Sequence, residues 1–509
     1  MRGAVSGSAG VASGHGLATE AGVEALQAGG TAVDAALAAA FTQWVVNAPQ
    51  CGPGGEMVVL VAGTGVSAGT GVQVHGGWSR SPLNPTPAPG AGSRAAADPG
   101  DGTARRWPPT SGPHNAVVPG SLRGAEAAWQ AHGRLGWAGL FDGALAAAAG
   151  HTVTARMAEV YEQVERLGHT DALGRMLGLE AAPRRGDTIR LPDLAATLAA
   201  VAAGGARDFY GGDLADRLVA AAAAEGAALS HDDLGAVEAS VEPALRFDLD
   251  DIVVWVPGAP SQAAIAAALL AAAPAGADPA DRPFAAAVAP LTEQQLTQFC
   301  VQGPARLSGT AAATALDRRG LSAAVVHSLS GVQFGTGWVA GDTGVAFSNR
   351  VGTALSERPD LPGCNRRRGG VLPHTLSAAH VRRREGPGWM TVGTPGGDRQ
   401  VQWLAQAVQR FRRGAPPADI AAGPRWFVCP TGNRFGVPAG IGEPWFAFAE
   451  PGIAWHDDST VADYEVRPTP NAGGGLQLAV SEHDAETVSR TVAALASDPR
   501  SGGAAQTVD

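Results

Sequence analysis

The chain has 509 residues, of which 45% are hydrophobic, and its formal net charge is −10. A chain of this size can bury a large core, and its acidic balance, with basic residues spread along the sequence, excludes nucleic acid as an expected partner. All 37 basic residues are arginine, which excludes Schiff-base lysine chemistry, a pyridoxal phosphate anchor and a phosphate-loop lysine.

The four cysteines, Cys51, Cys300, Cys364 and Cys429, lie far apart and form no CxxC pair. This spacing predicts free buried thiols and no metal or disulfide framework. The N-terminal segment lacks an apolar run of signal-peptide length, and no stretch of 18 apolar residues occurs. We therefore expect a soluble cytoplasmic protein that does not associate with membranes.

The N-terminal region is predicted to begin with two alanine-rich helices at residues 17–28 and 31–46. Thr31 is the expected N-cap of the second helix. A Pro/Gly-rich turn then leads into a strand at residues 57–62. Residues 82–113 are rich in Pro, Gly and Ala, a composition typical of a long surface loop.

The middle of the chain changes from helices to strands. Helical periodicity dominates residues 119–222, and a short β-rich run at 251–256 ends in the turn PGAPS. After a Gly-Thr step at residue 310, the sequence predicts successive strands separated by glycine-rich turns, at 311–316, 323–329 and 338–347.

The C-terminal part is predicted to contain a second strand pair around residues 379–392. A glycine turn at 393–397 and a helix at 400–412 follow. The last hundred residues show no clear period, so we expect them to be irregular. Without internal repeats or sustained heptads, one large mixed α/β unit is the simplest architecture.

The step from Gly309 to Thr310 is the candidate reaction centre. A threonine hydroxyl needs a base to take its proton, and an N-terminal threonine supplies its own α-amine. Thr310 is internal, so the chain would first be cut by attack of the Thr310 hydroxyl on the Gly309 carbonyl. Glycine at 309 tolerates the strained backbone that this attack needs. Gly-Thr steps are common, however, and an ordinary strand threonine is the alternative.

Several blocks in order resemble the gamma-glutamyltranspeptidase family: VASGHGLATEAGVEALQAGGTAVDAALAA, VVNAPQCGPGGEMVVL, PGSLRGAEAAWQAHGRL, DFYGGDLADRL, SHDDL and SDPRSGGAA. The resemblance implies an α/β fold, the four-layered αββα sandwich of N-terminal-nucleophile hydrolases. It also implies self-cleavage into a large fragment, residues 1–309, and a small fragment, residues 310–509, which together form one domain. No metal or organic cofactor is implied.

The resemblance also assigns a catalytic centre. The family's nucleophile falls on Thr310, and its second hydroxyl falls on Ser328 in HSLSG. The glycine pair whose backbone amides form the oxyanion hole falls on Gly396 and Gly397 in GTPGG, where only glycine leaves room for close approach. Without the family context, Ser328 would be an ordinary strand hydroxyl and GTPGG an ordinary loop.

The substrate positions match the family less well. Arg80 in HGGWSRSP is the best match to the arginine that clamps the substrate α-carboxylate. The acidic residue that pairs with the substrate ammonium is missing after SNR, since Arg350 is followed by no carboxylate until Glu357. The other pocket positions also depart from or only approximate the family pattern: Ser330, Asn349, His374 and Thr375.

This combination resembles a divergent branch of the family that includes oxamate-type amidohydrolases and related enzymes of actinobacterial antibiotic pathways, which are implicated in removing an oxalyl group by carbon-carbon cleavage. It implies a self-processing threonine hydrolase that cleaves an acyl bond, C–N or C–C, next to a carboxylate through an acyl-enzyme. Arg80 and Arg350 would hold the carboxylate of a small-molecule substrate.

Two alternatives stay open. One is a true gamma-glutamyl hydrolase or transpeptidase. The other is a pseudoenzyme scaffold that never cleaves, because alanines at 311–313 stand where the family often has polar or aromatic residues. The expected partners are the two fragments of the same chain, and a homodimer of the cleaved heterodimer is an assembly that the family allows.

Overall fold

The computed structural model describes residues 4–63, 65–66, 71–84, 112–166, 168, 170–274, 276–299, 309–330, 334–350, 368–430, 444–481 and 493–508. Most of the predicted surface loop at 82–113 lies outside these residues, as do Cys300, Cys364 and Glu357. Cys51 and Cys429 are buried free thiols, as predicted.

The helices of the described residues are, in chain order, α1 Gly16–Gln27, α2 Ala32–Val46, α3 Ser121–His132, α4 Asp142–Ala149, α5 Ala155–Arg166, α6 Thr170–Leu177, α7 Pro192–Gly204, α8 Ala206–Gly211, α9 Asp213–Glu225, α10 His231–Gly235, α11 Ala264–Ala272, α12 Arg282–Phe299, α13 Gln400–Arg412 and α14 Pro417–Ala422. Thr31 caps α2, accepting from the backbone N–H of Asp34 while the Asp34 carboxylate accepts from the backbone N–H of Thr31. None of the helices described is long and apolar enough to cross a bilayer.

The strands of the described residues are β1 Ala4–Gly7, β2 Ala9–Ser13, β3 Glu56–Ala62, β4 Val72–Gly77, β5 His151–Thr152, β6 Thr188–Ile189, β7 Ser240–Pro243, β8 Leu245–Asp248, β9 Ile252–Val256, β10 Gly309–Leu316, β11 Ser322–Ser330, β12 Ala378–Arg383, β13 Trp389–Gly393, β14 Trp426–Pro430, β15 Trp445–Ala449, β16 Thr460–Val461, β17 Tyr464–Pro468, β18 Gln477–Ser481, β19 Ala493–Ser497 and β20 Ala504–Val508. The predicted strand at 57–62 and the hairpin that follows Thr310 are confirmed as β3, β10 and β11.

Two seven-stranded sheets form the centre of the molecule. Their strand orders are β1-β19-β18-β13-β12-β9-β8 and β20-β2-β10-β11-β3-β4-β7. Apolar side chains from both sheets interlock between them, among them Leu60, Trp255, Ala312, Val326 and Ala378. Helices α1 to α3 pack on the outer face of the second sheet, with α4 packed on α1 and α2, and α11, α13 and α14 pack on the outer face of the first. The predicted four-layered αββα sandwich is thus confirmed.

The prediction of a strand at residues 338–347 is wrong. Residues 334–350 form turns joined by isolated bridges, Val339 to Ala346 and Gly54 to Phe347. The glycines of this segment have positive φ values, 58° at Gly335, 71° at Gly337, 49° at Gly341 and 65° at Gly344. Such left-handed positions reverse the chain and interrupt an extended run.

The last hundred residues are not irregular, so that expectation is also wrong. They supply β14 to β20, of which β18 and β19 belong to the first central sheet and β20 to the second. These strands are only two to five residues long, and β18 is buried along its whole length. Short strands buried on both faces show no polar alternation, so the sequence carried no period-two signal.

Candidate active site

The hairpin of β10 and β11 positions the predicted nucleophile at one end of the second sheet. Gly309 lies opposite Ser330 and Thr310 opposite Ser328, with an irregularity in the register between Gly309 and Thr310. Such a bulge re-aims the side chains next to it. Here Oγ1 of Thr310 lies 3.0 Å from Oγ of Ser328, and both residues are buried.

The hydroxyl of Ser328 contacts both sides of the Gly309–Thr310 bond. It donates to the carbonyl oxygen of Gly309 at 2.6 Å and accepts from the backbone N–H of Ser330 at 2.7 Å. A serine hydroxyl has one proton, so the Thr310 hydroxyl is the donor in its bond to Ser328. Ser330 has a φ of 75°, a left-handed conformation that a non-glycine residue adopts at a cost.

The glycine turn after β13 lies next to the nucleophile. Gly396 has a φ of 144° and Gly397 a φ of 62°. A Cβ atom at Gly396 would lie 2.1 Å from Cζ3 of Trp403, so the ring and the backbone conformation both require glycine here. The side-chain amide of Gln262 donates to the carbonyl oxygen of Gly397 at 3.1 Å and helps to hold the turn.

A cavity of about 370 Å³ opens beside Thr310 and the glycine turn. Its walls come from both predicted fragments, because α5 and the end of α2 line it together with β10 and the segment after β13. The residues that line it include Asn47, Thr310, Gly396, Arg399, Trp403 and Gln477. The predicted nucleophile and one predicted oxyanion glycine therefore share one cavity.

Arg80, predicted to bind a carboxylate, contacts backbone carbonyls in the described structure. Its Nε donates to the carbonyl oxygen of Gly369 at 2.8 Å, and its Nη1 to that of Ala236 at 3.3 Å. Arg80 is not one of the described residues that line the cavity beside Thr310. Its assignment as a substrate residue stays a prediction.

Arg350, the second predicted carboxylate residue, forms a buried ion pair. Its Nε lies 2.8 Å from Oε1 of Glu56, and the two side chains are 5% and 0% exposed. Nη1 of Arg350 also donates to the carbonyl oxygen of Pro373 at 3.2 Å. Glu56 begins β3 directly opposite Ser328, so a carboxylate is close in space although none follows Arg350 closely in sequence.

Sequence reasoning missed Glu56. The available signal was an acidic residue at the start of the otherwise apolar strand EMVVLVA, because a buried carboxylate needs a partner. Gln262 was also missed. Its contacts with the backbone of Gly397 and Thr375 depend on the tertiary fold, so no local sequence pattern predicts the role of Gln262.

The remaining predicted pocket residues lie around the end of β11 and the turn before β12. The backbone N–H of Asn349 donates to Leu329 at 3.4 Å, next to Ser330. His374 packs on Trp78, with ring centroids 5.0 Å apart. Burial, and then the nearby cation of Arg350, holds the pKa of His374 well below its usual range, so this imidazole is neutral at neutral pH. The carbonyl oxygen of Thr375 accepts a hydrogen bond from the side-chain amide of Gln262.

Comparison with known proteins agrees with this architecture. The family model described as Gamma-glutamyltranspeptidase matches residues 18–281 and 283–507. The oxamate amidohydrolase proenzyme of Klebsiella pneumoniae is 29% identical over 550 residues, which cover 96% of this chain and 97% of that protein. The human glutathione hydrolase 5 proenzyme is 30% identical over 266 residues, 52% of this chain and 43% of that protein.

A solved structure shares the fold along the whole chain. The cephalosporin acylase from Bacillus halodurans superposes with a TM-score of 0.79 at 21% identity, covering all of this chain and 97% of that one. At this identity the match supports the fold alone. With the family model matched over nearly every residue, the chain belongs to the gamma-glutamyltranspeptidase family and is an enzyme of its hydrolase class.

Proposed function

We propose that this protein is a self-processing hydrolase that uses Thr310 as its nucleophile and cleaves an acyl bond next to a carboxylate. The observation that carries the proposal is the Ser328 hydroxyl, which contacts Oγ1 of Thr310 at 3.0 Å and the carbonyl oxygen of Gly309 at 2.6 Å. Ser328 would polarise the carbonyl under attack while holding the attacking hydroxyl. Gly309 is the proposed cleavage residue because it lies directly before the nucleophile.

Self-cleavage would proceed as an acyl shift. Oγ1 of Thr310 attacks the carbonyl carbon of Gly309, the C–N bond breaks, and the hydroxyl proton passes to the departing nitrogen of Thr310. Water then hydrolyses the resulting ester, which leaves a carboxylate on Gly309, a free α-amine on Thr310 and a restored hydroxyl. The new amine would lie where it can accept the hydroxyl proton in turnover.

Turnover would use the same atoms on a substrate. The Thr310 hydroxyl attacks the acyl carbon, its proton goes to the leaving group through the α-amine, and water hydrolyses the acyl-enzyme. The backbone N–H groups of Gly396 and Gly397 are the proposed donors to the oxyanion, a role for which preorganised amides are suited. The alanines at 311–313 are buried in β10, so they fill sheet positions without displacing the Thr310–Ser328 contact. That favours an enzyme over a pseudoenzyme.

The substrate class follows from the similarity to the oxamate amidohydrolase proenzyme, which extends over nearly the full length of both chains. In oxamate the scissile acyl carbon is bonded directly to a carboxylate. A carbon-linked oxalyl group presents the same acyl carbon, so the class includes C–N and C–C bonds. We propose a small oxalyl-type substrate that needs no ammonium pocket.

A gamma-glutamyl substrate is the second candidate, and Glu56 is the observation that favours it. Its Oε2 is buried and makes no hydrogen bond to the described residues, and a substrate ammonium would satisfy it. The ion pair with Arg350, however, already neutralises this carboxylate, so an oxalyl-type substrate remains the leading proposal.

Substrate assays on purified protein separate the candidates. We expect the wild type to release oxalate from oxamate and to release no p-nitroaniline from gamma-glutamyl-p-nitroanilide. Thr310→Ala should release neither product. Release of p-nitroaniline without oxalate would replace the leading proposal by the second. An uncut chain that is inactive on both would support the pseudoenzyme.

A further inference from the structure

Four residues that line the cavity beside Thr310 each carry a buried polar atom whose partner is not found among the described residues. These atoms are two donors, Nε of Arg399 and Nε1 of Trp403, and two acceptors, Oδ1 of Asn47 and Oε1 of Gln477. The four residues are between 1% and 6% exposed. Buried polar atoms in folded proteins are nearly always hydrogen-bonded. Four such atoms on residues that line the cavity of the nucleophile therefore indicate a site for a polar ligand.

Arg399 is the cation of this cluster. Its guanidinium lies over the ring of Phe427 at 4.9 Å and over that of Trp403 at 5.5 Å. Stacking covers the face of the guanidinium and leaves its N–H groups available in the plane, where they suit a carboxylate. Arg399 forms no ion pair within the described part of the chain, although Asp398 lies beside it in sequence. Burial raises the pKa of the Asp398 carboxyl, and the Arg399 cation opposes that shift.

The other cationic residues near the nucleophile are engaged or exposed. Arg156 on the cavity wall pairs with Glu159 at 3.0 Å, and Arg166 is exposed at the end of α5. Arg350 is paired with Glu56. Among the described cavity residues, Arg399 thus combines burial, a positive charge and an unsatisfied donor.

We infer that Arg399 binds the carboxylate of the substrate and that Trp403 supplies a second donor to it, an assignment that rests on the proposed function. Oε1 of Gln477 and Oδ1 of Asn47 accept from N–H groups of the same ligand. The ligand is a small compact anion with hydrogen-bond donors, as oxamate is. Arg399 therefore determines substrate specificity in place of the residues that the sequence suggested, Arg80 and Arg350.

Binding of oxalate to the processed enzyme, measured by calorimetry, tests the assignment without requiring turnover. Arg399→Gln should weaken oxalate binding about 10- to 100-fold, the range expected for losing a charged hydrogen-bond donor. Arg399→Lys should recover part of the affinity, because the charge remains while the planar fork is lost. Trp403→Phe, which keeps one aromatic ring but removes Nε1 with the rest of the indole, should weaken binding several-fold.

Matched controls separate a lost contact from a damaged fold. Arg246 also lies over a tryptophan ring, that of Trp255 at 5.8 Å, but is exposed and outside the cavity, so Arg246→Gln should bind oxalate like the wild type. Oxamide, the neutral diamide, should bind wild type and Arg399→Gln alike. Mass spectrometry and thermal melting confirm that each variant is processed and folded.

The outcomes distinguish this inference from the proposed function. Wild-type affinity for oxalate in Arg399→Gln, or no oxalate binding by the wild type, would overturn the role of Arg399. Weakened oxalate binding in Arg399→Gln, with no turnover of oxamate by the wild type, would support the anion site and reject the proposed substrate. If Arg399→Gln misfolds, Trp403→Phe decides, and unchanged oxalate affinity there would count against the site.

Discussion

The hydroxyl of Ser328 donates a 2.6 Å hydrogen bond to the carbonyl oxygen of Gly309. This carbonyl belongs to the peptide bond that self-cleavage would break. The same hydroxyl accepts from the backbone N–H of Ser330 and lies 3.0 Å from Oγ1 of Thr310. The β10–β11 register therefore fixes three partners around one oxygen atom and links the fold directly to the proposed chemistry.

Ser328→Ala removes this contact and should slow maturation. Loss of one preorganised donor to a developing oxyanion typically costs about 10²- to 10³-fold in rate. We expect uncut chain to accumulate in Ser328→Ala, and Ser328→Thr, which restores a hydroxyl, to mature. The measurement is the cleaved fraction against time by gel or mass spectrometry.

Ser322→Ala is the matched control, since Ser322 is a buried serine of the same strand that bonds Ala62 and Thr391. It should mature at the wild-type rate. Equal maturation of Ser328→Ala and wild type would remove Ser328 from the mechanism.

Gly396→Ala should disable turnover. The added Cβ would lie 2.1 Å from Trp403, and the alanine would have to adopt a φ of 144°. The turn must therefore shift away from the nucleophile. We expect kcat to fall by about 10²-fold or more. Gly386→Ala is the control, because Gly386 has a φ of 82° and no atom of the described residues lies within 4 Å of where the new methyl group would be. It should cost stability only, and equal kcat values in the two variants would contradict the oxyanion role.

The effects of Glu56 and Arg350 on the free energy of unfolding should be strongly coupled. Removing one partner leaves a buried charge and should cost about 3–5 kcal/mol of unfolding free energy, whereas removing both costs much less than the sum. Denaturant unfolding of Glu56→Gln, Arg350→Met and the double variant measures the coupling. Additive losses would show that the pair is not coupled. Oxamate turnover in the double variant would show that Arg350 is dispensable for binding the substrate.

His327 should make stability depend on pH. Its Nδ1 accepts from Nε1 of Trp44 at 3.0 Å, and its Nε2 donates to Oε1 of Gln43 at 2.9 Å. Burial lowers its pKa from 6.5 to about 3. The unfolded chain therefore binds the proton more readily than the folded chain. The contribution of neutral His327 to the unfolding free energy is fully present above pH 6.5 and is lost as the pH falls towards 3.

The matched variant His327→Gln can keep a donor and an acceptor but cannot take up the proton. Between about pH 6 and 4, its unfolding free energy should fall less steeply than that of the wild type, by about 1.4 kcal/mol per pH unit at most. Denaturant unfolding across this range measures the difference. Parallel pH dependences in the two proteins would contradict the assignment of a neutral, buried His327.

The sequence predicts the elements with strong local signals and misses those set by tertiary contacts. The cap at Thr31, the β10–β11 hairpin and the helix at 400–412 follow from periodicity and turn chemistry, and the structure confirms them. The Glu56–Arg350 pair joins residues 294 positions apart, which no local pattern predicts. Cytoplasmic location, the fragment boundary and pairing of cleaved heterodimers stay predictions.

Intact mass after purification tests the central claim, self-cleavage before Thr310, most directly. We predict two fragments, residues 1–309 and 310–509, in the wild type, and a single chain of 509 residues in Thr310→Ala. A wild-type chain that stays uncut under conditions in which it turns over oxamate, or fragments that persist in Thr310→Ala, would contradict it.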